Sequence, residues 1–96
     1  MSLRIVAHVT ARAGKIEETK ALLLGLTGPT RKEAGCIRYE LHQNNANPLD
    51  LTFIEEWESD ATLDAHLQSA HLAAAFEKMP ALMDGLPDIR RYTMIG

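Results

Sequence analysis

A single cysteine, Cys36, leaves the chain without an internal disulfide or a cysteine-built zinc site, and it fits a reducing compartment. No run approaches the ~20 apolar residues of a membrane-spanning helix. The N-terminal MSLRIVAHVT alternates instead of running apolar, so no signal peptide is expected and the cytoplasm is the expected location. Positive charge is not in excess: ten Lys and Arg face thirteen Asp and Glu, a net charge of −3 with both signs scattered. A nucleic-acid partner wants a basic patch, so none is expected. GxGxxG, a P-loop and Gly-x-Ser-x-Gly are all missing, which leaves nucleotide-dependent and serine-hydrolase chemistry without support. Aromatics are scarce, and the one Trp (Trp57) and both Phe (Phe53, Phe76) fall within Leu51–Phe76.

What is present reads as one domain, residues 1–96, with 46% apolar residues. A chain this size buries roughly 60–65% of its unfolded surface, a thin margin for a monomer. Leu3, Ile5, Ala7 and Val9 alternate with Arg4, Val6, His8 and Thr10, a first strand that ends at Ala13-Gly14. Ile16, Thr19, Leu23 and Leu26 recur at helical spacing, predicting a helix over 15–26, with a further turn over 30–34 after Pro29. Cys36 to Gln43 reads as a strand with Ile37, Tyr39 and Leu41 on one face. A polar turn, Asn44 to Pro48, joins it to a strand over 50–58 on which Leu51, Phe53, Glu55 and Trp57 share a face.

Ser59 or Asp60 caps the next helix, which runs to about Leu67 and carries Leu63, His66, Leu67 and Ala70 as one stripe. A short helix follows Ser69 with Leu72, Ala75, Phe76 and Met79 in step; Pro80 to Pro87 reads as a loop or a loose turn of helix, and 88–95 as a last strand. Strand, helix, strand, strand, helix, strand is the α+β, ferredoxin-like βαββαβ order, an antiparallel sheet with helices on one face. Val6 and Ile54 put apolar groups on the other face as well. A bare apolar sheet face invites a partner, so a homodimer through that face is expected.

Four motifs stand in order along this frame: Glu33-Ala34-Gly35-Cys36, Tyr39-Glu40-Leu41, Glu55-x-Trp57 and Leu63-x-x-His66-x-x-Ser69-x-His71. Together they closely resemble the antibiotic biosynthesis monooxygenase family, from Ile5 to about Phe76. The resemblance implies a dimeric α+β barrel with a pocket between sheet and helices in each subunit. Members of known activity include cofactor-independent oxygenases of quinols and polycyclic phenols, haem-degrading enzymes and a processor of a phosphorylated signal. Fold alone does not choose among these.

The expected substrate is a small phenolic or quinol-like aromatic, with no cofactor. His66 is the candidate base, because an imidazole suits removal of a phenolic proton near neutral pH. The other reading of His66 is a structural side chain bonded to strand or loop. Trp57 is grouped with His66 as a candidate catalytic residue, as a pocket wall stacking on a planar substrate; its other reading is a corner anchor of the core. Tyr39, Glu55, Phe76 and His71 are the candidate substrate-binding residues. Each has a bland counterpart: a core Tyr, a Glu55 paired with Arg31, Arg90, Arg91 or His66, a core Phe, and a His at a helix cap. His8 and His42 read as half-buried sheet residues.

No metal site is expected: His66 and His71 lie about 500° apart round a continuous helix, and with Glu55 they make no recognised spacing. The alternative function is a dimeric binder or signal-metabolite processor without oxygenase activity, for which Arg38, Lys78, Arg90 and Arg91 are the cations available to a phosphate.

Overall fold

The computed structural model describes residues 2–96. Four strands form one antiparallel sheet in the order β2-β3-β1-β4. In chain order the elements are β1 (Leu3–Thr10), α1 (Ile16–Leu24), α2 (Thr27–Arg31), β2 (Cys36–Gln43), β3 (Asp50–Trp57), α3 (Asp60–Leu67), α4 (Ala70–Leu82) and β4 (Asp88–Tyr92). This is the ferredoxin-like arrangement, with β1 and β3 as the central pair.

The period-two pattern of the two central strands decides which face carries the helices. β1 and β3 run in register from Leu3 opposite Trp57 to Thr10 opposite Asp50. Ile5, Ala7 and Val9 therefore lie on the same face as Leu51, Phe53, Glu55 and Trp57, and all seven are buried. Leu23 of α1, Leu63 of α3, and Leu72, Ala75 and Met79 of α4 close over that face. α3 begins with reciprocal bonds: the Thr62 amide donates to Ser59 Oγ and the Ser59 amide to Thr62 Oγ1, each at 3.2 Å.

Three details depart from the sequence reading and one open reading is decided, each for a local reason. Ile37 is exposed instead of sharing the Tyr39 face, because a bulge between Cys36 and Arg38 leaves it outside the ladder while Tyr39 stays opposite Glu55. The short helix after α1 starts at Thr27, not Thr30, so Pro29 stands in its first turn, where an amide has no acceptor within the helix. α4 continues through Pro80 to Leu82, since Met79 and Met83 bury themselves on the sheet and the last turn follows them. β4 stops at Tyr92, which pairs with Arg4 near the start of β1; beyond it the neighbouring strand offers almost nothing to pair with.

Gly35 sets the approach of β2. Its φ is +83°, and a Cβ there would overlap the Thr62 side chain. The Glu58 amide donates to the Gly35 carbonyl at 2.9 Å, so the turn after α2 is tied to the β3–α3 corner. Gly35→Ala should destabilise the chain by about 1–2 kcal/mol from the backbone alone, with more from displacement of Thr62, read as a lower urea midpoint. An unchanged midpoint would mean the turn relaxes freely.

Candidate functional site

His66 is the centre of the site. It sits on the inner stripe of α3 with only 2% of its surface exposed. Its ring lies 4.8 Å from the Trp57 ring at an interplanar angle of 31°, and edge-on to Tyr39 at 5.5 Å and 70°. These two aromatic faces, from β3 and β2, fix the plane of the imidazole. Its Nδ1 is 2.6 Å from Glu33 Oε2. A carboxylate only accepts, so Nδ1 carries the hydrogen and Nε2 keeps the lone pair. Burial pulls the His66 pKa below its ordinary value, while Glu33 works in the opposite direction.

Glu33 Oε2 takes a second bond, from His71 Nε2 at 3.0 Å. His71 Nε2 also lies 3.2 Å from Thr30 Oγ1 and 3.3 Å from Ser69 Oγ. The turn geometry explains why two histidines five positions apart meet. The helix is not continuous: α3 ends at Leu67 and α4 begins at Ala70, so Gln68–Ser69 redirects the chain and returns His71 towards Glu33. The separation of these histidines expected for an unbroken helix is therefore wrong for the folded chain. Ser69 makes no side-chain cap to α4, and its hydroxyl faces His71 instead.

His66, Tyr39 and Glu55 are polar groups on the wall of an otherwise apolar cavity of about 40 Å³ between sheet and helices. Phe76, Met79 and Pro87 close one side of it. The same three side chains line an open surface pocket of about 270 Å³ that extends to Arg12 and Leu86. Inner cavity and outer pocket thus share these three side chains. An engineered apolar cavity that admits benzene measures about 150 Å³, so the inner space as it stands holds only small molecules.

Glu55 has none of the four partners anticipated for it. Arg31 donates to the Tyr39 carbonyl, Arg90 pairs with Asp88, and Arg91 spans Asp60 and Asp64. The Trp57 indole N–H donates to Glu55 Oε1 at 2.8 Å instead. Burial raises the Glu55 pKa to about 7, against the lowering effect of that indole bond. Trp57 is wholly buried and is not part of the cavity wall; it holds His66 and Glu55 from behind. Burial, with Glu55 adding to it, likewise raises the Tyr39 pKa, so the phenol stays protonated and can donate. Cys36 is half-buried, and burial followed by Glu55 and Glu33 pushes its thiol up, away from reactive thiolate character.

Phe76 is on the cavity wall, whereas His71 is not: it faces the outer side of Glu33. His8 and His42 are exposed on the open sheet face, where they meet Asp50 and Glu40, instead of half-buried. Arg38, Lys78, Arg90 and Arg91 all lie off the cavity wall, which therefore has no cation for a phosphate among the described residues. Glu33 and Thr30 are the site residues that side-chain reasoning passed over. Glu33 stands in the first of the four motifs, and that was the available signal.

The family model for antibiotic biosynthesis monooxygenases matches residues 2–78, a span that holds Glu33, Tyr39, Glu55, His66, His71 and Phe76. The chain belongs to the antibiotic biosynthesis monooxygenase family. Among solved structures, the PA3566 protein of Pseudomonas aeruginosa is similar to this family member at 30% identity and a TM-score of 0.93, covering 99% of this chain and 95% of that one. A conserved protein of Methanosarcina mazei Go1 matches at 34% identity and a TM-score of 0.90, over 96% and 91% of the two chains. The Synechocystis protein sll1783, itself uncharacterised, is 30% identical over 88 residues, 92% of this chain. The chain spans about 60% of that relative's length.

The Glu55 pKa makes a stability prediction. Unfolded, this carboxyl titrates near 4.5; folded, near 7. Below pH 4.5 both states are protonated and the neutral form's stability is fully present. As pH rises to 7 the unfolded chain ionises first, and that stability is lost. Relative to Glu55→Gln, which still accepts from Trp57, the wild type should lose on the order of 2–3 kcal/mol across this window. Urea unfolding of both proteins at several pH values measures it. A constant difference between them would show that Glu55 titrates as in water.

Proposed function

We propose that this family member is a cofactor-free monooxygenase of a small phenolic or quinol-like aromatic. The observation that carries the reading is the Glu33–His66 bond at 2.6 Å behind an apolar cavity. By holding the hydrogen on Nδ1, Glu33 leaves His66 Nε2 to receive the substrate's phenolic proton. The resulting anion is electron-rich enough to react with dioxygen directly. One oxygen atom replaces a ring hydrogen as hydroxyl, the quinol becomes a quinone, and the second oxygen leaves as water. The quinol supplies all four electrons, so the balance needs no external reductant.

The chain's own task is deprotonation, positioning and exclusion of water. Tyr39, as a protonated phenol, donates to a substrate oxygen, and Glu55 on the same wall is the second polar contact. Phe76, Met79 and Pro87 line both the small inner cavity and the outer pocket, and the ring enters by their displacement. The absence of any Arg or Lys from the cavity wall supports a neutral aromatic over a phosphorylated metabolite.

The sheet face away from the helices supports a homodimer as the working form. Ile54 is 37% exposed and Tyr92 46%, and Val6 stands beside Ile54 in the ladder. Light scattering at micromolar concentration should give twice the chain's mass, and a monomer there would contradict a sheet-to-sheet dimer.

Oxygen consumption with menadiol, without added flavin, tests the activity. His66→Ala should lower kcat by about 10²–10⁴ while the far-UV circular dichroism spectrum is retained. Phe76→Ala should lower KM by opening the wall. Equal turnover in the His66 variant would remove the base from the mechanism.

A further inference from the structure

His66, Glu33 and His71 offer more than a hydrogen-bonded triad. One ligand atom from each, an imidazole nitrogen or a carboxylate oxygen, lies within 4.8 Å of the other two. A tetrahedral ion with bonds of 2.0–2.2 Å separates its ligands by roughly 3.3 Å. Glu33 Oε2 is 2.6 Å from one imidazole nitrogen and 3.0 Å from the other, so each of these two pairs needs to open by less than an ångström, while the two imidazole nitrogens, within 4.8 Å of each other, need to close by at most about 1.5 Å. Two imidazoles and one carboxylate are the donor set of three-ligand zinc sites that keep a fourth position for water. The hydroxyls of Thr30 and Ser69, already beside His71 Nε2, are placed to bond such a water.

We infer that Glu33, His66 and His71 form a binding site for a divalent transition ion of the zinc class. The donors exclude hard cations: calcium takes six to eight oxygen ligands and magnesium an octahedron of them, whereas imidazole suits zinc, copper and nickel. The site is reached from solvent. The side chains of Glu33 and His71 are 19% and 26% exposed, whereas that of His66 is 3% exposed and forms the inner wall.

The ion also changes what His66 can do, a consequence that rests on the proposed base. A neutral imidazole has one hydrogen. To bind the ion, Nδ1 must present its lone pair, and the hydrogen is then carried by Nε2, the proposed base atom. No net proton is released, and the tautomer is reversed. Nε2 becomes a donor and can no longer accept a phenolic proton. The metal-bound chain is therefore the inactive state, and the ion acts as an inhibitor that competes with the Glu33 hydrogen bond.

Isothermal titration of the whole metal-free protein with zinc chloride tests the site directly. One ion per chain should bind, with a Kd at or below the micromolar range. His71→Ala, at a partly exposed position away from the cavity, should weaken binding at least about a hundredfold. Glu33→Gln retains an acceptor for His66 and should weaken it as well, so the result does not hang on one variant. Cobalt in place of zinc should give the intense visible absorption of a tetrahedral ion, lost in His71→Ala. No saturable binding overturns the site. Binding that survives His71→Ala but is lost in His42→Ala, which removes a surface histidine, also overturns it. Zinc should suppress menadiol-dependent oxygen uptake in the wild type. If zinc binds as described but the metal-free protein consumes no oxygen, the site stands and the oxygenase reading fails.

Discussion

One carboxylate oxygen carries the organisation of this site. Glu33 Oε2 accepts from His66 Nδ1 and from His71 Nε2, joining the turn after α2 to both ends of the α3–α4 junction. Charge-assisted bonds of this kind are roughly twice as strong as neutral ones. Their value here is directional. They decide which imidazole nitrogen bears hydrogen, and so which face of His66 is basic. The aromatic contacts from Trp57 and Tyr39 hold the ring plane, while Glu33 sets its tautomer.

The second constraint is the largely apolar lining of the cavity beside that imidazole. Glu55 is the cost of placing a carboxyl there: one indole bond does not replace the water it has lost, and its pKa moves up to about 7. The same burial lowers the His66 pKa and keeps the Tyr39 phenol protonated. Near neutral pH the wall therefore presents a lone pair on His66 and a hydrogen on Tyr39, with Glu55 near the midpoint of its titration. That complement suits proton removal from a weakly acidic, uncharged substrate better than capture of an anion.

Much of the frame was legible because period-two alternation is a direct imprint of a half-buried strand. Ile5, Ala7 and Val9 could be placed with Phe53, Glu55 and Trp57 on alternation alone, and the strand order followed. The Gly35 turn and the Ser59 cap were equally visible, since left-handed backbone and helix starts have strong residue preferences. The errors fell where a neighbour overruled the local pattern: the bulge that turns Ile37 outward, and the indole that takes the place of arginine at Glu55.

Four motifs taken together carried the resemblance to the family, and the sequence by itself determined the order of the elements and the inner face of each strand. These depend on spacing within single elements, which survives without knowledge of what packs against what. The tertiary structure alone decided who bonds to whom. Glu33 is 33 residues from His66 and 38 from His71, and no periodicity relates positions so far apart. Their meeting depends on the break between α3 and α4 at Gln68–Ser69 and on a glycine turn pressed against Thr62. Both are products of packing, and together they bring two histidines and a carboxylate into one cluster.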